Sequence, residues 1–152
     1  MDTVQRVTSA DDPRLAPYRD LRADHERRHD AWFPTKDRGR MDAEDRYWFA
    51  EFRGNKIGVF DTRAETFKEW ALPTPWTGPY DVVLDKNGEA WTGGMFSDRV
   101  VRLNTKTGQF TEYLLPRDTN IRRVFVDNST TPVTFWVGNN HGRSIVKVEP
   151  QE

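Results

Sequence analysis

A chain of 152 residues whose charged side chains make up 31% and nearly cancel, to a net −1, is long enough for a domain with its own core and lacks the basic excess of a dedicated nucleic-acid binder. It contains no cysteine, which excludes disulfides, thiolate catalysis and zinc–thiolate sites. No apolar run approaches the roughly 18 residues of a membrane span, and residues 1–5 show no basic segment leading into an apolar one, so neither nucleic acid nor membrane is an expected partner and the expected compartment is the cytoplasm.

Residues 1–28 read as an extension that precedes the rest of the pattern. Residues 3–8 alternate about Val4 and Val7, which predicts a strand. From Asp11 onward a helix is predicted: Ser9 or Asp11 caps it, Pro13 suits a first turn, and Leu15, Tyr18 and Leu21 share one face at helical spacing.

From residue 29 the chain repeats. Residues 46–73 laid on residues 89–116, an offset of 43, match Trp48 with Trp91, Thr62 with Thr105, Phe67 with Phe110, Glu69 with Glu112, Leu72 with Leu115 and Pro73 with Pro116. A third copy follows 45 residues on, with Trp136 on Trp91, Ile145 on Val100 and Val148 on Leu103. Such a period fits either a helical pair or a four-stranded propeller blade. Gly, Pro and Asn interrupt each unit every eight to twelve residues, and the apolar runs between them are short and β-branched, which selects the blade.

Taking the strands of a blade as A to D from the channel outward, the first blade (29–73) is expected to have A at 30–35, B at 47–51, C at 56–61 and D at 67–72. Its A–B connection, residues 36–46, reads as an exposed loop. The second (79–116) has A at 80–85, a hairpin at Lys86–Asn87–Gly88 in which Asn87 and Gly88 supply the positive φ angles of a tight turn, B at 89–93, C at 99–104 and D at 110–115, which Pro116 ends. The third (120–150) has A at 122–127, B at 133–138 and C at 144–149, with no fourth strand.

The fold class is therefore all-β: three propeller blades per chain with a short N-terminal helix. Propellers close at four to eight blades, and two chains meeting head to tail would complete a six-bladed ring through a heterologous interface. The expected partner is thus a second copy of the chain, with the strand at 3–8 completing the third blade in cis or in trans.

Two stretches, 47–58 (Tyr47 to Gly58) and 107–116 (Thr107 to Pro116), resemble the repeats of the virginiamycin B lyase (streptogramin lyase) family of β-propellers, and the resemblance spans about residues 29–150. It implies a divalent metal, magnesium, and proton transfer by glutamate and histidine at the third and fifth positions after the blade tryptophan. Those positions hold Glu51 and Arg53, Gly94 and Phe96, and Asn139 and His141, so the glutamate and the histidine fall on different blades. Residues 7–28, about Pro13, Leu15 and Tyr18, are similar to the leader of SpoU-type RNA methyltransferases; no later segment resembles their cofactor domain, and no methyl transfer is inferred.

Ligands of propellers bind where the start of strand A and the B–C connection meet the channel. Strand A starts at His29 or Asp30, at Tyr80 or Asp81, and at Arg122 or Arg123 in the three blades. The candidate base is His141, because imidazole is the side chain suited to proton abstraction near neutral pH, with Glu51 as relay and His29 as a second base. Glu51, Asp81 and Asn139 offer oxygen ligands of the kind that magnesium or calcium prefers. Tyr80, Trp76, Arg122 and Arg123 are candidate substrate contacts, the arginines as stabilisers of negative charge. The expected function is metal-assisted cleavage of an activated ester (lactone, phosphotriester or cyclic depsipeptide), by hydrolysis or by elimination. The competing readings are a non-catalytic binding propeller and a fragment whose notable property is self-assembly.

Overall fold

The computed structural model describes residues 39–151, all within the compact unit Asp37–Glu152. The predicted strand at 3–8, the predicted helix, residues 30–35 and His29 lie outside the described residues.

Eleven strands form three antiparallel sheets among the described residues. The first is β1 (Gly39–Met41), β2 (Arg46–Glu51), β3 (Lys56–Asp61) and β4 (Thr66–Ala71) in that order. The second is β5 (Pro79–Leu84), β6 (Ala90–Gly94), β7 (Arg99–Leu103) and β8 (Phe110–Leu114). The third has β9 (Ile121–Asp127), β10 (Thr134–Asn139) and β11 (Ser144–Val148), with β10 in the middle. Each sheet is a meander of neighbouring strands, the architecture of a propeller blade, and the third lacks a described strand D.

Strand A of the first blade corrects the sequence reading. The strand that pairs with β2 is Gly39–Met41, inside the stretch read as a loop. Gly39 faces Phe49, Arg40 faces Trp48 and Met41 faces Tyr47; in the second blade Val82 faces Thr92, Val83 faces Trp91 and Leu84 faces Ala90. Every pair is displaced by the same 43 residues. Carried along the sequence, the same offset matches Tyr80 with Asp37; both Asp37 and His29 lie outside the described residues.

The A–B hairpins explain why this register persists. In the second blade the Asp85 N–H donates to the Glu89 carbonyl and the Gly88 N–H to the Asp85 carbonyl, both at 3.0 Å. Only Gly88 of the Asn87–Gly88 pair has positive φ, 77°. The turn is thus a type I turn closed by a left-handed residue, as in a three-residue hairpin with a bulge; the hairpin at Lys86–Asn87–Gly88 is as expected, but Asn87 does not take positive φ. One Asp85 oxygen accepts from the N–H groups of Asn87 (2.8 Å) and Glu89 (3.0 Å), and the other from the Trp91 indole at 3.0 Å. Asp42 does the same for Glu44 and Arg46 and for the Trp48 indole at 2.8 Å, with Asp45 at φ 61° in the place of Gly88. An aspartate six residues before each of these tryptophans fastens the turn to the core.

Burial raises the pKa of the Asp42 carboxyl, but hydrogen bonds from Trp48, from the Arg46 backbone and guanidinium and from Glu44 outweigh it, and the group lies below its ordinary 3.8. A carboxyl with a depressed folded pKa contributes stability above its unfolded pKa and loses it as pH falls through the folded value. The urea midpoint is therefore expected to hold from neutrality down to about pH 4 and to fall below it. In Asp42→Asn the fall should be shallower; an acid limb identical to wild type would contradict this role.

The core divides at the blade junctions. Trp48, Ala50, Ile57, Val59 and Leu72 of the first blade pack against Val82, Ala90, Val101 and Leu103 of the second. Val83, Trp91, Val100 and Leu115 of the second pack against Ile121, Val124, Val126, Phe135, Val137 and Val148 of the third. Alternation along each strand sends one set of side chains to the preceding blade and the other to the following blade.

Candidate functional site

At one end of the strands, the B–C turns 52–55, 95–98 and 140–143 each close on a residue with positive φ: Asn55 (55°), Asp98 (51°) and Arg143 (49°). The first two fasten the segment that leads into the next blade. Asn55 donates its side-chain amide to the Thr74 carbonyl at 3.0 Å and accepts from the Gly78 N–H at 3.2 Å. Asp98 accepts from the Thr119 N–H at 2.5 Å and from its hydroxyl at 3.0 Å. Turn and linker meet at the end of the strands where the sequence places the candidate site, the mouth.

The mouth between the first two blades is aromatic. The Phe52 ring meets Tyr80 edge-on at 6.1 Å and Phe96 at 5.4 Å. Trp76, at φ 57°, is 84% exposed and Phe96 64% exposed. Both phenylalanines close over Gly78: at its φ of 63° a Cβ would stand 2.9 Å from the Phe96 ring and 3.2 Å from that of Phe52, so glycine admits both rings where another residue would be strained. Tyr80 and Trp76 were read from the sequence as substrate contacts. Phe52 and Phe96 were not, although the signal was present: an aromatic side chain in a turn where a polar residue or glycine is the rule.

The polar candidates are dispersed. Glu51 ends β2 with its carboxylate 4.0 Å from the Lys56 ammonium. Asp81 is buried on β5; one oxygen accepts the Val82 N–H at 3.0 Å and the other faces the Arg40 guanidinium at 3.7 Å. Asn139, buried at the end of β10, accepts from the N–H groups of Asn120 (3.2 Å) and Gly142 (3.0 Å) and donates to the Asp118 carbonyl at 3.0 Å. His141 lies exposed in the third blade's turn. Arg122 donates to the Asn120 side chain at 3.0 Å, and Arg123, opposite Gly138, is exposed. Glu51 and His141 sit on the first and third blades, and the second blade packs against both.

Among the described residues no three His, Asp or Glu side chains gather as a metal cage. Asn139 spends its oxygen on two backbone N–H groups, and Asp81 faces a guanidinium. On a single chain, therefore, Glu51, Asp81 and Asn139 do not fit the divalent ion that the resemblance implies. A groove of about 880 Å³ opens at the opposite end of the strands, lined by the A–B hairpins through Arg40, Asp42, Glu44, Lys86 and Asn128; none of the mouth residues lines it.

No protein-family model matches this sequence, and no curated protein matches it. Solved structures do. A streptogramin B lyase structure is 28% identical over 76% of this chain and 39% of its own, with a TM-score of 0.66. Two structures of virginiamycin B lyase from Staphylococcus aureus, one of them a catalytically inactive variant with quinupristin, are 23% and 24% identical over 78% of this chain and 43% of theirs, with TM-scores of 0.61. The extracellular domain of a one-component system from B. thetaiotaomicron shares the fold at 13% identity with a TM-score of 0.52. The chain thus spans less than half the length of the lyases it matches. The repeat, the sheet topology and these likenesses agree that this is a three-blade β-propeller segment similar to virginiamycin B lyase.

Proposed function

We propose that the mouth formed by Phe52, Trp76, Tyr80 and Phe96 binds a small activated ester and that polar groups at the same end of the blades cleave it. The observation that carries this reading is the aromatic cluster itself: Phe52 meets Tyr80 and Phe96, and Trp76 stands exposed on the adjoining linker, on a turn-and-linker scaffold pinned by Asn55. Exposed aromatic surface of this kind has ligand capture as its ordinary use. The 28% identity to a streptogramin B lyase supports ester elimination as the reaction, and hydrolysis is the variant in which water attacks the carbonyl or phosphoryl centre.

In this reading His141 takes the proton, Glu51 relays it or binds metal, and Arg122 and Arg123 face the negative charge that develops on the leaving oxygen. His29 is the second candidate base. Magnesium or calcium would polarise the ester oxygen, but it enters only in an assembly that adds carboxylates to Glu51 and Asp81. A second reading, a propeller that binds without reacting, is favoured by two observations: the Asn139 amide oxygen is taken by two backbone N–H groups, and Glu51 stands beside Lys56.

The test uses the full chain with quinupristin, a lactone and a phosphotriester. Turnover of at least one is expected, lowered about a hundredfold or more in His141→Ala and lowered by chelator; an alkene product identifies elimination. Trp76→Ala should raise KM with little change in kcat. Quinupristin binding that Trp76→Ala abolishes, without turnover, would establish the binding module in place of the enzyme. Neither binding nor turnover would refute both.

A further inference from the structure

Each blade has a leading face towards the blade before it and a trailing face towards the blade after it. On the trailing faces, cross-strand pairing aligns Trp48, Trp91 and Trp136, and likewise Ile57, Val100 and Ile145. In the first two blades these positions are sealed: Trp48 and Trp91 are buried, and Ile57 and Val100 are 0% exposed. In the third, Ile145 is 75% exposed, Phe125 beside Trp136 is 64% exposed, and Trp136 is half-buried. The same residue types in the same register are closed twice and open once.

We infer that the trailing face of the third blade, Phe125, Trp136 and Ile145, is the seat for the leading face of the first blade of a second copy of this chain. Three observations select that occupant. The two internal junctions show what covers such a face, the leading face of another blade. Among the described residues the leading faces of the second and third blades are already used, while that of the first shows Met41 and Phe67 at 38% exposure; the repeat equivalent of Phe67 is Phe110, which packs in the same cluster as Ile57. Finally, the turn residues that hold a covalent linker to the next blade, Asn55 and Asp98, accept N–H groups, and the third turn has Arg143 in that place. A guanidinium has no acceptor, so the third turn lacks the side-chain acceptor that clasps a covalent linker at the other two. The faces also differ in net charge: Arg123, Lys147 and Asp127 lie on the trailing face, Lys147 paired with Glu149, and Glu51 and Glu69 lie on the leading one, beside Lys56. Two such heterologous contacts close a ring of two chains. The inference does not require the mouth to be catalytic, and mass and turnover are read separately.

The experiment measures the mass of the full chain at micromolar concentration by light scattering and by sedimentation. Wild type is expected to be a dimer of 17.8 kDa chains. Ile145→Arg and Phe67→Arg, each with wild-type circular dichroism, should dimerise about a thousandfold more weakly, because each places an unpaired charge in both apolar junctions. Mixing the two variants should restore a heterodimer, since one junction then joins two unaltered faces. If Ile145→Arg does not fold, Phe125→Glu replaces it. A monomeric wild type overturns the inference, as does Phe67→Arg that stays dimeric while Ile145→Arg does not, for then the trailing face meets its own copy. Loss of turnover with an intact dimer would refute only the catalytic reading.

Discussion

Trp91→Ala is expected to cost about 3–5 kcal/mol of stability, the range for removing a buried aromatic side chain from a packed core. Trp91 is fully buried, stacks on Tyr113 at 5.9 Å and on Phe135 at 5.1 Å, carries the Arg102 guanidinium over its ring at 5.5 Å and donates its indole N–H to Asp85. Among the described residues it is the blade tryptophan whose ring stacks both on its own sheet and on the next. The loss should appear as a fall in the urea midpoint at unchanged slope. The sharper result is the contrast with Trp136→Ala. In an Ile145→Arg background, where the third trailing face stays open, that substitution should cost less than about 1.5 kcal/mol, because a half-exposed ring has little burial to lose. Equal costs at the two positions would mean that the third face is covered within the chain.

Asp85→Ala is expected to cost about 2–4 kcal/mol, since it leaves the buried Trp91 indole N–H and two turn N–H groups without their acceptor. Three hydrogen bonds converge on this carboxylate. Asp85→Asn keeps one acceptor oxygen and should recover about half of the loss. The variants separate the two roles of the residue. If the indole bond dominates, Trp91→Phe should remove most of the further effect of Asp85→Ala in a double-mutant cycle. Additive costs would assign the residue to the turn alone.

The fold was legible because one large residue marks each blade. Trp48, Trp91 and Trp136 fix the offset, and the β-branched pairs around them fix the strands of the second and third blades to within a residue or two. Strand A of the first blade was hidden because Gly39, Arg40 and Met41 carry no strand-like pattern; their pairing is imposed by β2 and by the Asp42 turn. The signal that locates it is Asp42 itself, 43 residues before Asp85. The three-residue hairpin at Lys86–Asn87–Gly88 was legible, but only Gly88 takes positive φ, because Asp85 supplies the acceptor that stabilises the turn before it.

The candidate site was legible as a place and not as chemistry. The B–C turns and the starts of β5 and β9 lie at one end of the strands, and Tyr80 meets the Phe52 turn there. What the sequence does not show is how polar side chains are spent. Asn139 resembles a ligand until its backbone donors are seen, and Asp81 until Arg40 is placed opposite. Residue type indicates that an oxygen is available; only packing shows what it already accepts.

The placement of one chain's first blade on another's third blade is tested most directly by proximity. The sequence holds no cysteine, so single cysteines report without background. Chains carrying Ile145→Cys are mixed with chains carrying Phe67→Cys and treated with a short bifunctional maleimide. The expected product is the mixed pair, formed at micromolar concentration and suppressed by adding Phe125→Glu to the Ile145→Cys chain. Ile145→Cys chains that link to one another, or no linked product from a mixture whose cysteines both react, would contradict it.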